Sequence, residues 1–229
     1  MTGMRSDSKT LLMASILVMV IIGSLTIVAY NSENDAIKGA VKDGMKATVG
    51  VMANQVNASE IAGLKPGDET SPRYIRLAKK LRTMRSMDDH ILNAYILKVN
   101  PDQSVTFLVD DLYPADPYGS AKIGEISNAP KSDIIAALSG PVTSAEPYTT
   151  KYGSFMTAYA PIVDSVSDSS GNTVAVLAID ITAMDFTGYT TRGGIIILTG
   201  LVSMVLAVGA IGYFGTKLQK AEEIGNKKP

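Results

Sequence analysis

The chain has 229 residues, with 21 Lys and Arg against 22 Asp and Glu for a net charge of −1, one histidine, and neither cysteine nor tryptophan. The missing cysteines exclude disulfides, thiolate metal sites and iron–sulfur clusters, so any exported part must be stabilised by its core alone, which about 160 residues can supply. A charge balance this close to neutral gives no sign of a nucleic-acid partner.

The first feature along the chain is an uncharged apolar run from Thr10 to Tyr30, and its counterpart at the far end runs from Gly193 to Phe214. As helices they are about 31–33 Å long at 1.5 Å per residue, which matches the hydrocarbon core of a bilayer. Arg5 and Lys9 precede the first run against Asp7, while Lys217, Lys220, Lys227 and Lys228 follow the second against Glu222 and Glu223. The two ends together carry net +3, and the 162 residues between the runs carry net −4. Basic flanks stay in the cytoplasm. The expected organisation is a cytoplasmic N-terminus (1–9), a first span (10–30), an extracytosolic domain (31–192), a second span (193–214) and a cytoplasmic tail (215–229). A cleaved signal peptide is the other reading of the first run. The length of the run and the poor small-x-small match at Tyr30-Asn31-Ser32 favour a retained anchor. Tyr30 and Tyr213 stand near the run ends, where an interfacial aromatic belt lies.

From Asn31 to Val56, Ile37, Val41, Met45, Thr48, Met52 and Val56 recur at three- and four-residue steps, the apolar face of a helix continuing from the first span. Leu64 to Glu69 (Leu-Lys-Pro-Gly-Asp-Glu) reads as a turn. Ser71-Pro72 starts the next helix, with serine as N-cap and proline at the first helical position. Tyr74, Leu77, Ala78, Leu81 and Met84 form its buried face. Arg73, Arg76, Lys79, Lys80, Arg82 and Arg85 cover the rest, either as a solvated face or as a patch for an anionic partner. Leu92–Val99 and Val105–Val109 read as a hairpin across Asn100-Pro101-Asp102-Gln103. A loop from Asp110 to Gly119, a short helix from Ser132 to Leu138 ending at Gly140, and a short strand from Thr143 to Glu146 follow. The strongest strands are Phe155–Val163 and Thr173–Ile181, joined by a small, polar loop from Asp164 to Asn172. The last strand is apolar on both faces and so is expected to be central and covered twice. The fold class is α+β: one antiparallel sheet with a long N-terminal helix and other helices segregated to a face.

Several stretches, in order, resemble the Cache family, the extracytosolic PAS-like sensor modules of chemoreceptors, sensor kinases and cyclases. Leu64–Tyr74 resembles the helix–turn–helix before the sheet. Asn93-Ala94-Tyr95-Ile96-Leu97 and Phe107-Leu108-Val109-Asp110 resemble the first two strands. Tyr152-Gly153-Ser154-Phe155-Met156-Thr157-Ala158-Tyr159-Ala160-Pro161-Ile162 and Gly171–Ile181 resemble the closing pair. The resemblance spans about residues 32 to 185 and implies a PAS-like sheet in a single-Cache arrangement between two transmembrane helices. The amino-acid-binding relatives carry an Arg/Trp constellation that this chain, without tryptophan, cannot supply, so an amino-acid ligand is not implied. Family receptors also continue into a HAMP linker and an output domain, for which Gly215 to Pro229 is too short.

Asp180 shares a strand face with Val176 and Ala178 and so points toward core or pocket, where a carboxylate costs several kcal/mol unless paired or hydrogen-bonded. The resemblance implies that the matching aspartate holds a ligand's cationic group; the alternative is that Asp180 caps the following turn. Tyr159, mid-strand with Phe155 and Thr157, and Tyr95 on the first strand are either pocket walls or core tyrosines. Asp110, Asp111 and Asp116 could hold calcium, but their spacing fits no EF-hand and a solvated loop is favoured. The resemblance places Tyr118, Tyr148 and Lys151 in loops that close the pocket. The ligand-binding candidates are therefore Asp180, Tyr159, Tyr95, Asp110, Tyr118, Tyr148 and Lys151. His90, beside Asp88 and Asp89, reads as a helix-end residue, and Asn57-Ala58-Ser59 fits a glycosylation acceptor.

No metal site, cofactor motif or enzyme signature is present: there is no G-x-S-x-G, HExxH, P-loop or dinucleotide fingerprint. In the second run Thr199, Ser203 and Ala207, and again Gly209, Gly212 and Gly215, form small-residue stripes suited to close helix contact and a homodimer. The expected function is a membrane-anchored extracytosolic sensor. It would bind a small solute and pass a conformational change through its spans to a cytoplasmic signalling partner or a missing output module. The alternative is a non-sensing membrane scaffold or accessory subunit that reuses the fold.

Overall fold

In the computed structural model, residues 3–164, 173–190 and 194–225 are described. The helices are α1 (Gly3–Gln55), α2 (Ala58–Ile61), α3 (Pro72–Arg85), α4 (Lys131–Ala136), α5 (Ala183–Thr190) and α6 (Gly194–Gly225). The strands are β1 (Asn93–Val99), β2 (Val105–Asp110), β3 (Val142–Thr143), β4 (Tyr148–Thr150), β5 (Gly153–Val163) and β6 (Thr173–Thr182). The chain divides into two units, one of Met1–Ile37 with Thr190–Pro229, the other Lys38–Tyr189. The expected polar loop after β5 lies, apart from Asp164, outside the described residues.

In the first unit, α1 and α6 are long and apolar enough to cross a membrane, and the apolar windows are exposed. Glycine lets the two helices approach: a Cβ on Gly200 would run into the Thr26 side chain, and one on Gly215 would meet Leu11. Ala207 lies half-buried, whereas Thr199 and Ser203 are exposed. The stripe read from sequence is therefore split between two faces of α6. The helix also runs past Phe214, where the second apolar run ends, to Gly225.

The second unit is α+β, with a PAS-like, wholly antiparallel sheet in the order β2-β1-β6-β5-β3, and β4 pairing with β5. β6 sits between β1 and β5, as its two apolar faces require. One face carries Ile96, Met156, Ala158, Leu177 and Ile179 and packs with Val49, Met52, Tyr74, Leu77 and Leu81 of α1 and α3. The other carries Tyr95, Leu97, Phe107, Tyr159, Val176 and Ala178 and packs with Ile134 and Ala137. The α1 stripe follows its helical period, with Met45, Val49, Met52 and Ala53 buried, and Val56 just past the helix end is buried too.

α3 begins as its sequence dictates: the Ser71 hydroxyl accepts from the Tyr74 N–H at 3.2 Å, and Pro72 follows it. Its basic face is only partly solvated. Arg73 donates to the Glu60 and Ser59 carbonyls, Lys80 pairs with Glu60 at 2.8 Å, and Arg82 and Arg85 both reach Asp111. Asn57 caps α2, its Oδ1 accepting from the Ser59 N–H, and Glu60 completes a capping box. His90 lies exposed in the turn between α3 and β1.

Candidate ligand-binding site

Strand register assembles the site. On the sheet face away from α1 and α3, Asp180 of β6 lies opposite Asn93 of β1 and Thr157 of β5. In the next row Ala178 lies between Tyr95 and Tyr159. Tyr95 reaches the carboxylate directly, and Tyr159 is linked to it through Tyr148 and Thr157. Tyr95 Oη donates to Asp180 Oδ1 at 3.1 Å, and Thr157 Oγ1 donates to the same oxygen at 2.6 Å. The Tyr148 hydroxyl, brought by β4, lies 2.7 Å from Thr157 Oγ1 and 3.0 Å from Tyr159 Oη. The carboxylate does not cap the following turn. That work is done by Thr182, whose Oγ1 accepts from the Asp185 N–H at 2.9 Å.

Asp180 is buried, and burial pushes its carboxyl up to about 7, against the hydrogen bonds from Thr157, Tyr95 and Asn93; the nearby Asp110 pushes it further up. Tyr95 and Tyr159 are held well above the ordinary phenol range by burial, and Tyr148 is pushed up to about 12 by burial and by Asp180. At neutral pH the tyrosines keep their phenolic protons, and Asp180 stands near its midpoint.

A cavity of about 30 Å³ lies beside this network, room for about two waters. Asn93, Tyr95, Asp110, Tyr148 and Asp180 line its base and Phe107 and Phe155 its sides. Its mouth is formed by Gly119 and Ile126–Ala129 on one side and Thr150–Tyr152 on the other. Five of the seven candidates, Asp180, Tyr95, Asp110, Tyr148 and Lys151, are thus brought together. Tyr159 stands behind Tyr148 in the core and does not line the cavity, and Tyr118 is 97% exposed and away from it. Tyr148 belongs to β4 rather than to a loop. Sequence reasoning missed Asn93 and Thr157, which contact Asp180 only because of the register.

Asp110, the last residue of β2, and Asp111 are buried and only Asp116 is solvated; each of the three staples the chain to itself. Asp110 accepts from the Leu112 N–H on one oxygen and the Ala121 N–H on the other, each at 2.9 Å, closing the loop beside the cavity. Burial pushes its carboxyl up to about 6 against those two bonds. Asp111, fully buried, accepts from Arg85 Nε at 2.5 Å and from the Ala94 N–H at 3.2 Å, on the α3 side of the strand. Burial raises its carboxyl despite Arg85. Asp116 accepts from the N–H groups of Tyr118 and Gly119.

No family model and no curated protein matches this chain. Among solved structures it is similar to the sensor domain of E. coli DcuS, with a TM-score of 0.46 and 14% identity over 68% of this chain and 98% of that one. It is also similar to an extracellular ligand binding receptor from Desulfohalobium retbaense, with a TM-score of 0.47 and 17% identity over 74% of this chain but only 27% of that one. The periplasmic domain of Vibrio cholerae LuxQ gives a TM-score of 0.43 and 13% identity over 72% of this chain and 69% of that one. The first is a sensor domain, the second a ligand binding receptor and the third a periplasmic domain. At these scores and identities they carry nothing about ligand or mechanism.

Proposed function

We propose that the chain is a membrane-anchored sensor whose 38–189 unit lies outside the cytoplasm and binds a small solute at Asp180. The observation that carries this reading is a buried carboxylate, lined by hydroxyl and amide groups and open to a cavity, with no lysine or arginine among the described residues buried beside it. Such a group is expensive in a folding core and useful in a binding site. The solute class that fits is a small polar molecule with a cationic or hydrogen-bond-donating group, which would take the ionised form of Asp180. Chain connectivity supports the output route. β6 leads through α5 to the second apolar helix, and α1 is continuous from the first apolar run into the core. A bound solute biases the two helices only by its difference in affinity between two states, about 5.5 kcal/mol for a full switch. The signal would pass to a cytoplasmic output module in the same or a separate polypeptide, with a homodimer through the spans as one possible assembly.

The test is a thermal-shift screen of the full chain in lipid nanodiscs against small metabolites. At least one solute should raise the unfolding midpoint, and Asp180→Ala should abolish that rise while still folding. A complete screen without a hit, or a shift that survives Asp180→Ala, contradicts the proposal. One observation favours the second reading, a scaffold that binds nothing: the cavity measures only about 30 Å³.

A further inference from the structure

A cavity of about 30 Å³ cannot hold an organic solute of even a few heavy atoms, so a binding role for Asp180 requires the walls to move. The walls are of two kinds. The base is built on the central strands β1 and β6 with Asp110 of β2, and Tyr148 of β4 reaches into it. The mouth lies between Gly119 with Ile126–Ala129, which flank Glu125 in the chain, and the β4–β5 turn. β4 has three residues and pairs with β5 alone, so few backbone bonds hold it.

These two segments meet in a clasp. Glu125 Oε1 accepts from Lys151 Nζ at 2.9 Å and from the Tyr152 hydroxyl, which also reaches the Ser120 carbonyl at 3.5 Å. The Lys151 ammonium lies 4.8 Å from the centre of the Tyr152 ring, and that ring meets Phe107 of the cavity wall edge-on at 6.4 Å. Glu125 and Lys151 keep 26% and 59% of their side-chain surface in water, so parting them leaves no charge stranded in the core. Immediately after the turn stands Gly153 with φ +141°, where a Cβ would sit 2.8 Å from the Phe155 ring. Only glycine fits there, and it supplies the backbone freedom of a hinge. On its inner side the same segment carries Tyr148, hydrogen-bonded to Thr157 and through it to Asp180.

We infer that β4 and the β4–β5 turn form a flap, held shut over Asp180 by Glu125, and that a solute reaches the carboxylate only when this clasp opens. This inference rests on the sensor reading and deepens it by naming the gate. Because Tyr148 rides on the flap, a solute at Asp180 also decides where the flap comes to rest.

The native chain has no cysteine, so one introduced thiol reports access without interference. Asp180→Cys in the full chain, in nanodiscs, should react slowly with a small methanethiosulfonate reagent. Adding Glu125→Gln should speed the reaction about two- to fivefold, the worth of a part-exposed ion pair. Equal rates with and without Glu125→Gln overturn the gate. A second measurement leaves Asp180 native: hydrogen exchange in Glu125→Gln should rise across residues 148–153 and stay unchanged across 173–182. Unchanged exchange at 148–153 also overturns it. Neither readout needs a solute, so failure here leaves the thermal-shift test of the sensor reading standing on its own.

Discussion

Asp180 sits near the midpoint of its titration at neutral pH because two effects oppose each other: removal from water, and hydrogen bonds to one of its oxygens. The balance fixes how stability depends on pH. A carboxyl raised in the folded state contributes stability that is complete below its unfolded value, about 3.9, and is lost as pH climbs through the folded one. For Asp180 that loss runs from about pH 4 to about 7, and for Asp110 to about 6. Without solute, the protein should therefore melt at lower temperature at pH 8 than at pH 5. Asp180→Asn keeps an oxygen to accept from Tyr95 and Thr157 and never ionises. It should raise the melting midpoint at pH 8, by about 2–4 °C for each kcal/mol regained, and flatten the slope between pH 5 and 8. An unchanged slope would show that Asp180 does not titrate in that window. The inward position of Asp180 was legible from its alternation with Val176 and Ala178, because side-chain direction in a strand follows from period two. Its partners were not legible. Asn93 and Thr157 face it through the pairing of three strands, and nothing local to Asn93 or Thr157 encodes that register.

Elements show the same division between local and distant causes. α3 was legible to the residue at its start because Ser71 and Pro72 satisfy the helix end locally. Its basic face was legible only in part: Arg76 and Lys79 are solvated, but the acceptors of Arg82 and Arg85 lie at Asp111, 29 and 26 residues away. β4 escaped notice because three residues are too short for alternation to show. α5 escaped because Thr, Gly and Tyr are poor helix formers, although Thr182 three residues before Asp185 is the signal that could have marked its start. Where β2 ends, the chain ties the cavity to α3. Asp110 faces the cavity, its backbone N–H donates to the Tyr74 hydroxyl at 3.1 Å, and its neighbour Asp111 is gripped by Arg82 and Arg85. Arg85→Ala removes one partner of a buried pair, so it should cost about 3 kcal/mol in chemical denaturation. Adding Asp111→Asn should recover part of that loss. A loss under about 0.5 kcal/mol, the size expected of a surface substitution, would mean that Asp111 is satisfied without Arg85.

At the scale of the whole molecule, the two apolar runs were the most legible feature, because an uncharged stretch of about 20 residues is what a bilayer core requires. The sensor reading needs them to cross a membrane with the Asp180 unit on the outer side. The flanking charges argue for that arrangement: the ends carry net +3 and the intervening segment net −4. It can be measured directly, since any cysteine introduced into this chain is the only one. Tyr118, 97% exposed, and Lys217, also exposed, are suitable positions in the two units. In intact cells, with the outer envelope made permeable where there is one, a membrane-impermeant maleimide should label Tyr118→Cys at once and Lys217→Cys only after lysis. Labelling of both without lysis, or of Tyr118→Cys only after it, would contradict an outward-facing sensor.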